Sequence, residues 1–334
     1  MIEFQTDRDL DLIGIGRACI DLNANEINRP MEETVSFTKY VGGSPANITI
    51  AAARLGLSTG FIGRVANDQF GRYIVKYMAD QGVDISGMVT DHSGSVTGLS
   101  FTEIKSPTEC SILMYRDNVA DLKLQVADVR EEYIKRTKAL LISGTALAKN
   151  PSREAVFRAI ELAKLHGVAI IFDIDYRPYS WGSADEVAVY CQLVAERSDI
   201  IFGGREEFDL LEPYNRNAGE TNDLFTAKLW LSRGAKLVVV KHGSQGSIAF
   251  TANGLNVRAG VFPARMVKTF GAGDSFAGAF IYGMMKGLSV ERCLELGSAS
   301  ASIVVSSHSC SEAMPRLESI EDVIAQHSSS NTML

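Results

Sequence analysis

The run Thr269-Phe270-Gly271-Ala272-Gly273-Asp274-Ser275 is where residue type and spacing most directly imply chemistry. Two glycines flank an alanine just ahead of a predicted helix. The backbone N–H groups of 271–274 can therefore converge on an anion, helped by the positive partial charge of a helix N-terminus. An acid at that point would repel phosphate, unless it acts on the hydroxyl that attacks the phosphate. The expected roles are a general base for Asp274 and an anion hole for the amides of Gly271, Ala272 and Gly273. Spacing alone leaves a second reading, in which Asp274 only caps the helix. A Walker-type loop is excluded, because no Lys follows the glycines as G-x-x-x-x-G-K-[ST] requires.

A second glycine pair, Gly42-Gly43, precedes Ser44-Pro45-Ala46-Asn47. It lets backbone approach a polyol closely, and Asn47, one turn into a helix, can anchor the turn or touch substrate. A plain strand–helix turn is the other reading. Two arginines bear on the choice of ligand. Arg177 lies in Asp173–Trp181, which begins at the C-terminal end of a predicted strand, where open α/β sheets bind ligands. Arg116 ends the predicted strand that carries Met114 and Tyr115. A guanidinium donates two parallel hydrogen bonds to a carboxylate, which a neutral sugar would not need. The alternative is local pairing with Asp175 and Asp117, worth about 0–1 kcal/mol at a surface.

Positioning these residues takes a framework of alternating strands and helices. A first strand, 10–15, is followed by the Gly-Gly-Ser-Pro turn and an Ala-rich helix from Ala46 to Leu55, ended by Gly56. From residue 139 the rhythm is regular. Strand 139–142 leads to a helix opened by Asn150 as cap and Pro151 at its first position, with Val156, Ile160 and Ala163 on one face. Strand 168–172, helix 186–197, strand 200–202, helix 225–233 and strand 237–240 follow. Segments 247–250 and 255–261 form an antiparallel excursion, and helices 274–286 and 290–306 close the core. Apolar strands alternating with helices predict an α/β fold with a mainly parallel sheet covered on both faces. Two segments break the rhythm, 22–40 and 94–117, and are expected to form one small β-sheet lid. The core then comprises 1–21, 41–93 and 118–327, with 328–334 a polar, frayed tail.

The chain has 334 residues, with 33 Lys plus Arg against 40 Asp plus Glu, so its net charge of −7 argues against a general nucleic-acid partner. Cys19, Cys110, Cys191, Cys293 and Cys310 are dispersed and never form C-x-x-C, which suggests reduced thiols and not a disulfide framework or zinc site. The acidic N-terminus lacks the pattern of a signal peptide, and no apolar run is long enough to span a bilayer. The expectation is a cytoplasmic protein without membrane or nucleic-acid partners.

Gly271-Ala272-Gly273-Asp274 resembles the second signature of the ribokinase-like (PfkB) carbohydrate kinases, and Gly42 to Asn47 resembles the first. The two stand in the family's order, more than 220 residues apart, and the resemblance runs from Asp11 to about Ile324. It implies a doubly wound sheet with helices on both faces, a β lid, and ATP with Mg²⁺ as phosphoryl donor. It also implies Asp274 as base, a weak one sufficing for a loose phosphoryl-transfer transition state. Asp21 would bind sugar hydroxyls beside Gly42, Gly43 and Asn47. Lys241, Gly243 and Gly246 would border the nucleotide with Thr269. Ser302 and Ser309 would fall in the region lining the adenine pocket, where a monovalent cation such as K⁺ often binds. Glu207 matches the acid of an Asn-x-x-Glu motif that contacts Mg²⁺ through water, but Gly204 replaces its Asn.

Several segments, among them 15–23, 111–122, 175–181 and 309–315, resemble family members that phosphorylate keto-deoxy sugar acids. An acidic substrate agrees with the arginine argument, although Arg177 could clamp ATP phosphates instead. Composition and spacing do not separate one keto-deoxy acid from another. Family analogy also implies a homodimer formed through the lid. Two other classes are weaker. A nicotinamide dehydrogenase would need a third glycine after Gly14-x-Gly16, and that place holds Cys19. A non-catalytic sugar-binding protein would have no need of an intact Gly-Ala-Gly-Asp.

Overall fold

The computed structural model describes residues 2–106, 109–215 and 221–331. The chain first moves between a large sheet and a small one. β1 (Leu10–Ile15) starts the large sheet, and β2 (Cys19–Ala24) and β3 (Phe37–Gly42) leave it for the small one. α1 (Ser44–Arg54), β4 (Thr59–Ala66), α2 (Gln69–Asp80) and β5 (Val83–Asp91) return to the large sheet, and β6 (Leu99–Ile104) and β7 (Cys110–Tyr115) complete the small one. Regular alternation follows: α3 (Glu131–Ile134), β8 (Thr137–Ser143), α4 (Ser152–Leu165), β9 (Ala169–Asp173), α5 (Ala184–Ala195) and β10 (Ile200–Gly204). Then come α6 (Arg205–Leu211), α7 (Asp223–Ser232) and β11 (Leu237–Lys241). β12 (Ser247–Thr251) and β13 (Asn256–Ala259) form a hairpin, and α8 (Ala272–Met285), α9 (Val290–Val305) and α10 (Leu317–Asn331) finish the chain.

The large sheet has nine strands in the order β13-β12-β11-β10-β9-β8-β1-β4-β5. Its strands pair in parallel except at β12 and β13. Side chains on a strand alternate between faces, so a sheet covered on both sides needs apolar residues at every position. The strands supply them. Leu140, Ile142, Ile170 and Phe172 enter one core with Trp230, while Leu141, Ile171 and Phe202 enter the other with Phe280. The architecture is a doubly wound α/β fold with an appended four-stranded sheet, ordered β3-β2-β6-β7.

The small sheet is wider than the sequence suggests, since β2 begins at Cys19 and β3 reaches Gly42. Asn150 does not cap α4: that helix starts at Ser152 with Pro151 in the cap position, and no side chain bonds its first turn. α10 runs to Asn331 where a frayed tail from 328 is expected, and residues 332–334 lie outside those described. Among the described residues no helix is long and apolar enough to cross a membrane.

Candidate active site

Two helix N-termini meet at the C-terminal side of the large sheet. Gly43 stands ahead of α1 at φ 102° and Gly271 ahead of α8 at φ 79°, conformations that a Cβ would penalise. The helices approach closely because Gly278 has no side chain; a Cβ there would lie 2.5 Å from that of Ala51. The approach joins the two motifs. Ser44 Oγ donates to Asp274 Oδ1 at 2.7 Å, and Asn47 Nδ2 donates to Oδ2 at 2.8 Å. Asp274 therefore does not cap its own helix; the cap position is Gly271 and has no side-chain bond. The first four N–H groups of an α-helix lack partners within it. Here the α8 bonds begin with Ser275 N–H to the Gly271 carbonyl, which leaves the preceding amides at the helix mouth.

Burial pushes the Asp274 carboxyl above its ordinary value, and the nearby Asp175 adds to this, while Asn47 and Ser44 pull it back. Desolvation thus works against the helix N-terminus, whose positive partial charge favours the ionised carboxylate. Asp173, at the end of β9, meets Lys241 at the end of β11, with Oδ1 and Nζ 3.1 Å apart. Burial pushes Asp173 up to about 7, against the pull of Lys241. Asp175 sits at φ 40°, held by a hydrogen bond from Ser143 Oγ at 2.8 Å and an ion pair to Arg177 Nη2 at 2.7 Å.

Two cavities open on these residues. One, of about 350 Å³, is polar and holds Arg17, Asp21, Asp173, Asp175, Arg177 and Asp274. Its small-sheet wall is made by Cys19, Ser100, Thr102, Ile112 and Met114. The other, of about 590 Å³, is largely apolar, with Val261, Phe262, Met266, Phe276, Ala301 and Val305 around the turn of Gly243 and Gly246. Glu207, Lys241, Thr269 and Gly273 line both. A polar chamber thus joins an apolar one beside a buried carboxylate and a helix N-terminus.

The model of the pfkB family carbohydrate kinases matches residues 9–317. This chain belongs to that family. It is 61% identical over 327 residues to the 5-dehydro-2-deoxygluconokinase of Geobacillus thermodenitrificans (strain NG80-2), covering 98% of this chain and 96% of that protein. It is also 61% identical over 312 residues to the 5-dehydro-2-deoxygluconokinase 2 of Bacillus cereus (strain ZK / E33L), covering 93% of this chain and 94% of that one. Among solved structures, a putative Ribokinase II from E. coli in complex with ATP and Mg²⁺ superposes with a TM-score of 0.86 at 28% identity, covering 95% of this chain and all of that one.

The structure of this PfkB kinase sorts the residues singled out from sequence. Asp21, Gly43, Asn47 and Arg177 line the polar cavity; Gly243, Gly246, Ala272 and Ser302 line the apolar one. Gly42 lines neither and instead makes room for Asp21, whose carboxyl carbon would lie 2.2 Å from a Cβ there. Ser309 is buried away from both cavities. Arg116 is displaced from its expected place. It lines neither cavity and pairs with Asp121 at 2.6 Å, not with Asp117, while Ile112 and Met114 of the preceding strand β7 face the chamber. Glu207 uses both carboxylate oxygens on backbone, accepting from Tyr176 N–H at 2.8 Å and Gly204 N–H at 2.6 Å. Arg17, Ser44, Asp173, Tyr179 and Cys310 also line the chamber and were not among the expected site residues. Asp173 carries a signal in sequence as an acid at a strand's C-terminal end, and Ser44 lies within the first glycine motif.

Proposed function

We propose that this kinase transfers the terminal phosphoryl group of ATP to the C6 hydroxyl of 5-dehydro-2-deoxy-D-gluconate. The reading is carried by the junction of the two cavities at Gly273, next to Asp274 in the polar one. The acceptor sits in the polar chamber with its hydroxyl at Asp274, and the nucleotide lies in the apolar one with its phosphates directed to the same point. Asp274 accepts the hydroxyl proton as the oxygen attacks phosphorus. Its two hydrogen bonds leave a lone pair on each oxygen for that purpose. The amides of 271–274 face the charge on the transferring group, and Lys241 draws the phosphates across from the nucleotide side.

Magnesium fits the donors present. The described residues hold no group of three side chains that could bind it alone, and the oxygens of Glu207 are already engaged. An ion carried in by ATP phosphates and water, with Asp173 and Glu207 behind the water, suits such a site. When bound it neutralises phosphate charge.

The acid would be recognised by Arg17. That side chain is buried against the chamber and, among the described residues, has no carboxylate within ion-pair distance. Its Nε has no partner, and its best contact is Tyr179 Oη at 3.4 Å. Arg177 is balanced by Asp175 and would orient the sugar-acid backbone from beside it. The small sheet would act as a lid: Ile112 and Met114 face inward, whereas Leu113 and Tyr115 stay exposed, where a second copy could cover them. The free cysteines suit the cytoplasm.

The test is an ADP-release assay across 5-dehydro-2-deoxygluconate, 2-dehydro-3-deoxygluconate, fructose and ribose. The first should give the highest kcat/KM, with both neutral sugars at least ~10²-fold lower, as expected when a buried charge is left unpaired. Equal turnover of fructose and the acid would sink the substrate assignment.

A further inference from the structure

Lys268 is fully buried, and the chemistry above makes no use of it. Its Nζ donates to the Phe270 carbonyl at 2.6 Å, approaches the Val304 carbonyl at 3.5 Å, and lies 3.6 Å from Cys310 Sγ. A buried ammonium is costly unless its donors are met. Here they are met by carbonyls and a sulfur, with no carboxylate within ion-pair distance among the described residues. Val304 belongs to the last turn of α9, the negative end of that helix. Burial pushes the Cys310 thiol up to about 12, so it faces the ammonium uncharged.

The Phe270 carbonyl has a particular consequence. In a planar trans peptide the C=O and the following N–H point in opposite directions. Pulling the Phe270 oxygen inward to Lys268 therefore aims the Gly271 N–H outward, toward the mouth of α8. Gly271 at φ 79° allows that orientation, and its missing Cβ leaves room for Cys310, whose Sγ would otherwise lie at 2.9 Å. Val267 and Lys268 are themselves fixed through their N–H groups to the Val305 carbonyl.

We infer that Lys268 is a tethered monovalent cation: its ammonium occupies the carbonyl-lined place beside Val304 and Cys310 and holds the 270–271 peptide in position for phosphate. The expected K⁺ site near Ser302 and Ser309 does not fit, because this ammonium already fills the carbonyl-lined place there. Lys268 is a positioning residue, acting through the Gly271 amide. The proposal requires only that the 271–274 loop receives phosphate, and does not depend on which sugar acid is phosphorylated.

The wild-type enzyme should turn over equally in potassium and in tetramethylammonium chloride, and its Tm should not distinguish them. Lys268→Met should lower kcat on the order of 10²-fold, the usual effect of losing one anion-hole donor, with KM for the acceptor little changed. Lys268→Ala should regain part of that kcat with K⁺ or NH₄⁺, and should melt higher in K⁺ than in tetramethylammonium. A wild-type enzyme inactive until K⁺ is added would overturn the proposal, even if neither variant folded. So would a folded Lys268→Met with wild-type kcat, or a Lys268→Ala indifferent to K⁺ in both readouts. The melting comparison uses no substrate, so it stands even if the sugar-acid assignment fails.

Discussion

Asn47 Nδ2 donates to Asp274 Oδ2 at 2.8 Å across 227 residues of chain, so the two glycine-rich motifs are joined directly by hydrogen bonding. The carboxylate is held on both oxygens, by Asn47 and by Ser44, and keeps one orientation toward the polar chamber. Asp274→Asn should retain nucleotide binding while kcat falls roughly 10²–10⁴-fold, the usual contribution of a positioned base. Isothermal titration with a non-hydrolysable ATP analogue, alongside steady-state rates, separates the two effects. Near-wild-type kcat would remove Asp274 from the proton transfer.

The motifs were legible because each is local: the glycines and the polar residues they present, Ser44 and Asn47 in one and Asp274 in the other, lie within a few residues of one another. The parallel sheet was legible for a similar reason, since strands buried on both faces read as unbroken apolar runs. What was not legible depends on distant packing. Arg116 looks like a ligand-binding arginine next to Asp117, but a turn brings Asp121 to it. Arg17 has no distinguishing neighbour; only the closing of β2 and the Asp173–Trp181 segment around it buries its charge in the chamber. Lys268 reads as an ordinary loop lysine until α9 places its terminal carbonyls over it.

Arg17→Met should raise KM for the acidic substrate about 10²–10³-fold and leave KM for ATP near its wild-type value. Truncating one side of a buried, charge-assisted contact typically costs ~2–5 kcal/mol. Equal losses for both substrates would mean that the guanidinium supports the fold and does not read the carboxylate.

Arg116→Ala should behave in the opposite way. The pair with Asp121 is buried on both sides, and removing the guanidinium strands a carboxylate. Breaking such a pair costs about 3–5 kcal/mol. The expected result is a marked fall in Tm, with KM for the acid almost unchanged in protein that remains folded. A selective rise in that KM would return Arg116 to the substrate site.

Stability of the unliganded enzyme should depend on the acid cluster behind Lys241. Asp173 has an ordinary value of 3.8 and is pushed up to about 7 by burial and by Asp175, Glu207 and Asp274, against the pull of Lys241. A raised carboxyl favours the folded state while it is protonated. That contribution is complete below 3.8 and is lost as pH rises through about 7. Tm should therefore decline between those limits by the equivalent of ~2–4 kcal/mol, and Asp173→Asn should flatten the decline. A wild-type Tm that rises across the same interval, unaltered in the variant, would exclude Asp173 as its source.

The contact between α1 and α8 gives a test of geometry without touching a polar group. A Cβ on Gly278 would stand 2.5 Å from the Ala51 Cβ and 3.3 Å from the Ile48 carbonyl, both rigid parts of α1. Gly278→Ala must push the helices apart, at a cost of about 1–3 kcal/mol for overpacking. Asn47 stands on one of these helices and Asp274 on the other, so separating them should loosen the bond that orients the base. We expect kcat to fall further than the loss of Tm explains, with KM for ATP little affected. Ala51→Gly in the same chain removes the opposing methyl and should restore both values in part, because the clash is between these two carbons. If the double variant recovers Tm but not kcat, the spacing of the helices does not set the base, and the hydrogen bond from Asn47 is only a structural tie.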